Sequence, residues 1–153
     1  MPDANDPAPD FTLPQGGGGD VTLSALRGAP VVLFFYPRDD TSGCTKEAIG
    51  FSEHLAAFAE AGARVFGISK DSLASHEKFA AKHDLKVPLL SDEAGRACED
   101  YGVWKQKSMY GKTFMGIERS TFLIGGDGQI RRVWRKVKVP GHVEEVLDAV
   151  RAL

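Results

Sequence analysis

Cysteine is scarce in this chain: its 153 residues hold two, Cys44 and Cys98. There is no Cys-x-x-Cys, since Thr45, Lys46 and Glu47 follow Cys44, and this speaks against a dithiol oxidoreductase. An excess of one charge is lacking too. Lys and Arg number 19 against 21 Asp and Glu, for a net charge of −2, so there is no electrostatic footprint for nucleic acid or an anionic membrane. No apolar run reaches the roughly 18 residues of a spanning helix. The polar, acidic start, Met1 to Asp6, does not read as a signal peptide. The expected compartment is therefore the cytoplasm, where thiols stay reduced. His54, His76, His83 and His142 form no His-x-x-x-His, so surface or packing roles are expected rather than a metal site.

What is present is ordinary for a globular chain: 42% apolar and 26% charged residues. The length predicts one domain over residues 1–153, with 1–10 as a loose arm. Strands are predicted at 11–13 and 21–23, joined by a turn through the glycine run of 15–20. That run lacks the Lys-Ser/Thr ending of a phosphate cradle. Residues 31–36 read as a central strand, apolar on both faces. Further strands are predicted at 63–69, 87–91, 120–124 and 129–138, with a hairpin turn at 125–128. Helices are predicted from Cys44 to Ala61, over 73–83 behind Ser72, and over 93–101 behind Asp92. Val143, Val146, Leu147 and Val150 mark one face of a last helix. Alternating strands and helices imply a parallel core with right-handed crossovers, to which the final hairpin adds antiparallel strands. Residues 103–116 show no clean period. Their Trp104, Met109, Tyr110, Phe114 and Met115 suit core packing, a pocket wall or a partner site. Arg131, Arg132, Arg135, Lys136 and Lys138 read as a solvated strand edge.

The stretch with chemical content is Pro37-Arg38-Asp39-Asp40-Thr41-Ser42-Gly43-Cys44-Thr45. It joins the central strand to a helix whose apolar positions are Ala48, Phe51, Leu55 and Phe58. Thr41 or Ser42 can cap that helix, which puts Cys44 in its first turn. A free cysteine titrates near 8.5, and helix N-termini and cations bring this to roughly 3.5–7.5. A drop of about 2.5 units needs about 3.4 kcal/mol. An exposed helix end supplies roughly 0.3–1 kcal/mol. A cation from elsewhere in the chain must complete it. Arg119, set among apolar residues, is the candidate; its other reading is an ion pair with Glu47 or Glu118. Asp39 and Asp40 are adequately explained as charges complementing the helix N-terminus.

Pro37, Thr41 and Cys44 fit the Pro-x-x-x-Thr-x-x-Cys motif, and the chain resembles the peroxiredoxins. Tyr-Pro-x-Asp-x-Thr-x-Gly-Cys-Thr resembles the peroxiredoxin Q branch, also called bacterioferritin comigratory protein. The resemblance continues through Gly67-Ile68-Ser69, Leu89-Leu90-Ser91-Asp92, Tyr101-Gly102-Val103-Trp104 and Gly116 to Ile124. It implies a thioredoxin-like α/β fold, a mixed sheet flanked by helices with an N-terminal hairpin extension. It implies that Cys44 is oxidised by peroxide to a sulfenic acid, with Arg119 beside the sulfur polarising the peroxide. Thr41 would hydrogen-bond the sulfur or a peroxide oxygen, and Pro37 would shape and shield the loop.

Cys98 has two readings. Ala94, Ala97, Cys98 and Tyr101 form one apolar stripe at helical spacing, which suits a packed core thiol. The other reading is a resolving cysteine that joins Cys44 in a disulfide. The resolving positions of the branch fall at Ile49 and Ala80 in this chain, and neither is cysteine. Ser42 stands where the branch often has proline. The expected cycle is thus completed by an external thiol such as thioredoxin, glutaredoxin or glutathione, on hydrogen peroxide or an organic hydroperoxide. No metal, haem or flavin is required. A monomer is expected, with a weak dimer as the alternative. A cysteine hydrolase would need a histidine against Cys44, and none has motif support. A redox-sensing module, reacting once and stalling, is the rival from another class.

Overall fold

Five consecutive buried residues, Val31–Phe35, form β3, the middle of the main sheet. The computed structural model describes residues 2–153, so Met1, the first residue of the expected arm, lies outside the described range. The sheet is ordered β5-β4-β3-β8-β9. Here β4 is Arg64–Ser69, β5 Leu89–Ser91, β8 Ser120–Ile124 and β9 Ile130–Trp134. The pairs β3–β4 and β4–β5 are parallel, whereas β3–β8 and β8–β9 are antiparallel. Thr12–Pro14 (β1) and Asp20–Thr22 (β2) pair as the N-terminal hairpin, with Gly17, Gly18 and Gly19 turning at positive φ. This is the mixed-sheet, thioredoxin-like fold with its N-terminal extension.

Side chains alternate across a strand, so β3 feeds two cores. Val32, Phe34 and Tyr36 face one, with Cys44, Ala48, Phe51, Phe58, Phe79 and the Val143, Val146, Leu147 and Val150 stripe. Leu33 and Phe35 face the other, with Leu13, Ala97, Cys98, Tyr101, Ile117 and Phe122. The first core is covered by α1 (Ser42–Glu53), α2 (Leu55–Glu60), α3 (Leu73–His83) and α5 (His142–Arg151). On β4 only glycine fits at position 67, because a Cβ there would come within 2.6 Å of the Phe34 ring.

Several elements differ from the sequence reading. The helix over 44–61 is two helices, broken at His54, whose ring Nδ1 sits 2.8 Å from the Gly50 carbonyl. The helix over 93–101 shrinks to α4, Ala97–Asp100. Its N-cap is Arg96 rather than Asp92, although the Asp92 carboxylate reaches the first turn from five and six residues away, accepting from the Ala97 and Cys98 N–H groups at 3.0 and 2.8 Å. Residues 103–116 mostly form a hairpin, β6 (Trp104–Met109) and β7 (Lys112–Ile117). Its tight turn places Tyr110 and Gly111 both at positive φ. The segment expected as an arm runs beside β9. Asn5 N–H donates to the Ile130 carbonyl, Ala8 N–H to Gly128, and Ile130 N–H to Asp6.

Candidate active site

The carboxyl end of β3 runs into the loop of residues 37–41, and α1 follows. Thr41 is the N-cap in extended conformation, φ −90° and ψ 156°. Its carbonyl accepts the Thr45 N–H at 2.8 Å and opens the helix. Its hydroxyl makes no capping bond and donates to the Arg38 carbonyl at 3.0 Å. Cys44 is the third residue of α1 and is 1% exposed. The loop lies where ligands gather in parallel sheets, beyond the carboxyl ends of the strands.

The antiparallel neighbour supplies the cation. Ser120 pairs with Phe35, so β8 begins where β3 ends. Arg119 is thereby delivered to the first turn of α1. Its Nη2 lies 3.2 Å from Cys44 Sγ, and its Nη1 donates to Glu47 Oε1 at 2.7 Å. The two readings of Arg119, partner of the sulfur and member of an ion pair, hold at once. Gly43 permits the approach, since a Cβ there would stand 3.1 Å from Arg119 Nη2. Burial works against the Arg119 charge, but Glu47 and Cys44 outweigh it and the guanidinium is held above its ordinary value.

Glu47 is fully buried one turn after Cys44, and its Oε2 has no hydrogen-bond partner among the described residues. Burial pushes its carboxyl up to about 7, although Arg119 pulls the other way. Lys107, on β6, feels the same place. Burial and the Arg119 guanidinium hold its ammonium below the usual value, against Cys44 and Glu118. Sequence reasoning missed Lys107, because Tyr110-Gly111 is not among the usual hairpin dipeptides. Pro37 is half-buried at the start of the loop.

Cys98 lies elsewhere. It is fully buried in the second core, across the sheet from Cys44. Burial and the Asp92 carboxylate push its thiol far up. Ile49 and Ala80 lie on α1 and α3. Asp39 and Asp40 do not act as simple helix-end charges. Asp39 is buried and bonded to Tyr36, Ser75 and His76, while Asp40 pairs with Lys82 and His83. Of the remaining histidines, His142 is buried against Thr121, and burial pulls its ring down to about 4.

Residues 4–133 match the AhpC/TSA family. The chain is 46% identical over 144 residues to Peroxiredoxin Bcp of Bacillus subtilis, covering 94% of this chain and 92% of that one. Its structure is similar to that of a cysteine-to-serine mutant of Xylella fastidiosa PrxQ, with a TM-score of 0.94, 40% identity, and 99% and 97% of the two chains covered. It is also similar to Xanthomonas campestris bacterioferritin comigratory protein, with a TM-score of 0.88, 46% identity and 93% and 90% coverage. That protein was studied for alkyl peroxide reduction through trapped intermediate and ligand complexes.

Proposed function

The chain belongs to the AhpC/TSA family and is a thiol-dependent peroxidase, and from that premise we propose that Cys44 is its peroxide-reducing cysteine. The observation that carries the assignment is Arg119 Nη2 at 3.2 Å from Cys44 Sγ, at a helix N-terminus. A guanidinium donating to sulfur favours the anion, and a thiolate is the nucleophile. In the reaction the sulfur lone pair forms an S–O bond and the O–O bond breaks. The sulfur is oxidised by two electrons, and the released oxygen leaves as water or alcohol after taking a proton. Arg119 and the N–H groups of the first turn stabilise the charge that develops on the oxygens, and the Thr41 hydroxyl joins them by turning its proton from the Arg38 carbonyl to the peroxide. Pro37 shapes the loop beside them.

The sulfenic acid then condenses with an external thiol, releasing water, and a second thiol reduces the mixed disulfide. The lack of cysteine at Ile49 and Ala80 supports this one-cysteine cycle, as does the place of Cys98 beyond the sheet. Thioredoxin, glutaredoxin and glutathione are the candidate reductants, and hydrogen peroxide or organic hydroperoxides the substrates. One cytoplasmic domain over residues 1–153, acting as a monomer, completes the proposal. No helix of the described residues is long and apolar enough to cross a membrane.

Intact mass after one equivalent of peroxide, with and without a dimedone-type trap, tests the cycle on the parent and on Cys98→Ser. Trapped sulfenic acid on Cys44 in both proteins is the expected result. Trapping only in the variant would mean that Cys44 and Cys98 join, and the one-cysteine cycle would fall. A protein that reacts once and stalls with every reductant supplied would be a sensor instead.

A further inference from the structure

Asp39 is the one buried side chain of the loop 37–41. Its Oδ1 accepts from the Tyr36 hydroxyl at 2.6 Å, and its Oδ2 accepts from the Ser75 hydroxyl at 2.8 Å. Its own N–H donates to Asp71 Oδ2 at 2.8 Å, an oxygen that also accepts from the Ser69 hydroxyl. The last partner is His76 on α3, 1% exposed, with Nδ1 2.7 Å from Asp39 Oδ2. His76 Nε2 lies 2.9 Å from the Leu90 carbonyl on β5. A carbonyl only accepts, so Nε2 carries a proton. A carboxylate already taking two hydroxyl donors also accepts, so Nδ1 carries one as well. His76 is therefore an imidazolium buried against a carboxylate.

This pair has little to do with sulfur directly, yet it holds the segment that leads to it. A surface cleft of about 500 Å³ runs between the loop and α3, so polar contacts rather than close packing attach one to the other. The next residue, Asp40, sits at φ 59°, a left-handed conformation that must be enforced from outside. Lys82 and His83, from the last turn of α3, grip its carboxylate at 2.7 and 2.8 Å. Helix α3 thus clamps two successive residues just ahead of Thr41.

We propose that His76 and Asp39 are positioning residues for peroxide reduction: the cationic His76 fixes Asp39, and through it the loop that presents Thr41 and the first turn of α1 to the peroxide. The proposal rests on the reading of Cys44 as the peroxide-reducing cysteine. It makes the loop geometry depend on the His76 proton. Burial pulls His76 down, but the Asp39 hydrogen bond and charge, with Leu90 and Asp71, raise it above its ordinary 6.5. The loop is thus held fully below about 6.5 and released as pH rises through the higher native value. Tyr36 also faces the ring, but burial and Asp39 keep it protonated well above 10. On the far side His76 and its neighbours Glu77 and Lys86 line a separate cavity.

The test compares two second-order rates on the full chain from pH 5.5 to 9. One is oxidation of Cys44 by hydrogen peroxide, read by quenched-flow mass spectrometry with a sulfenic-acid trap. The other is alkylation of Cys44 by iodoacetamide, which reports the thiolate but does not use Thr41 or Arg119 as peroxide does. Their ratio cancels the thiolate fraction. In His76→Leu the ratio should fall about tenfold or more, a barrier change of about 1.4 kcal/mol. His76→Asn keeps a neutral donor towards Asp39 and should recover most of the ratio at neutral pH. The parent ratio should fall above pH 6.5 in a step that His76→Asn lacks; a step kept by both belongs to Glu47 near 7. Equal ratios in parent and folded His76→Leu would overturn the proposal, as would an identical pH profile in His76→Asn. If His76→Leu does not fold, the His76→Asn profile decides alone. A parent Cys44 that alkylates but never oxidises would overturn the peroxidase reading itself, and the proposal with it.

Discussion

Cys44 and Cys98 are alike by every simple measure and opposite in setting. Both are buried to within 1%. Both lie in the first turn of a helix, third in α1 and second in α4. The difference is the charge that meets each helix end. At α1 a guanidinium reaches the sulfur at 3.2 Å, and at α4 a carboxylate takes the N–H groups of the turn, including that of Cys98 itself. Asp92 satisfies the donors that would otherwise favour a thiolate, and it adds an anion beside the sulfur. Position in a helix is thus not enough to make a cysteine reactive. On the proposed role of Cys44, what separates the two cysteines is the group that meets each sulfur, a guanidinium donating to Cys44 and a carboxylate beside Cys98.

The bluntest way to break the comparison is to exchange each sulfur. Cys44→Ser should abolish peroxide turnover, whereas Cys98→Ser should keep it within about twofold; steady-state peroxide consumption with a thiol reductant decides. Cys98→Ala should cost stability rather than activity, about 1 kcal/mol for a small core deletion, read from urea midpoints. Next in size is the cation. Arg119→Met should slow Cys44 oxidation by about 10²–10³-fold, the range for losing one preorganised donor to a developing charge. Retained oxidation within threefold would show that the helix end alone suffices. The anion is the converse case. Asp92→Asn weakens two charged hydrogen bonds, each worth about 1.5–3 kcal/mol, and should speed labelling of Cys98 by a thiol reagent under native conditions. Labelling at the parent rate would mean that burial alone protects it.

The smallest expected effect concerns Glu47. Its native value near 7 lies above the ordinary 4.5, so the folded chain binds more protons than the unfolded one between these values. Stability contributed by Glu47 is therefore lost as pH rises from about 4.5 to 7. Glu47→Gln should remove that slope from a plot of urea midpoint against pH. His142 acts in the opposite sense, its contribution being lost as pH falls from 6.5 towards 4, and it should be untouched by the change.

Much of this was legible in the residues. Val31 to Tyr36 announced a central strand by being apolar on both faces, and the loop after it announced Cys44 by its polar turn residues. Arg119 stands out in the sequence because a guanidinium among apolar residues must have partners. What escaped had physical causes. The hairpin of 104–117 carries polar residues on both faces and turns on Tyr110-Gly111, so neither period nor turn chemistry marks it. The long helix breaks at His54, where the ring reaches the Gly50 carbonyl, and Val143 of α5 presses so close that a Cβ at Gly50 would stand 3.0 Å away. Asp39 and His76 lie 37 positions apart, and only the fold brings a loop carboxylate under a helix histidine.

The antiparallel register of β3 and β8 has a consequence in time. Arg119 follows Cys44 by 75 positions, yet the two groups meet only when β8 docks beside β3. On a ribosome adding about 5–20 residues per second, the chain carries Cys44 for about 4–15 s before Arg119 has even been made. Through that interval the sulfur lacks the guanidinium that stands 3.2 Å from it in the folded chain. On the proposed role of Cys44, the site is therefore assembled only once the middle of the sheet has closed.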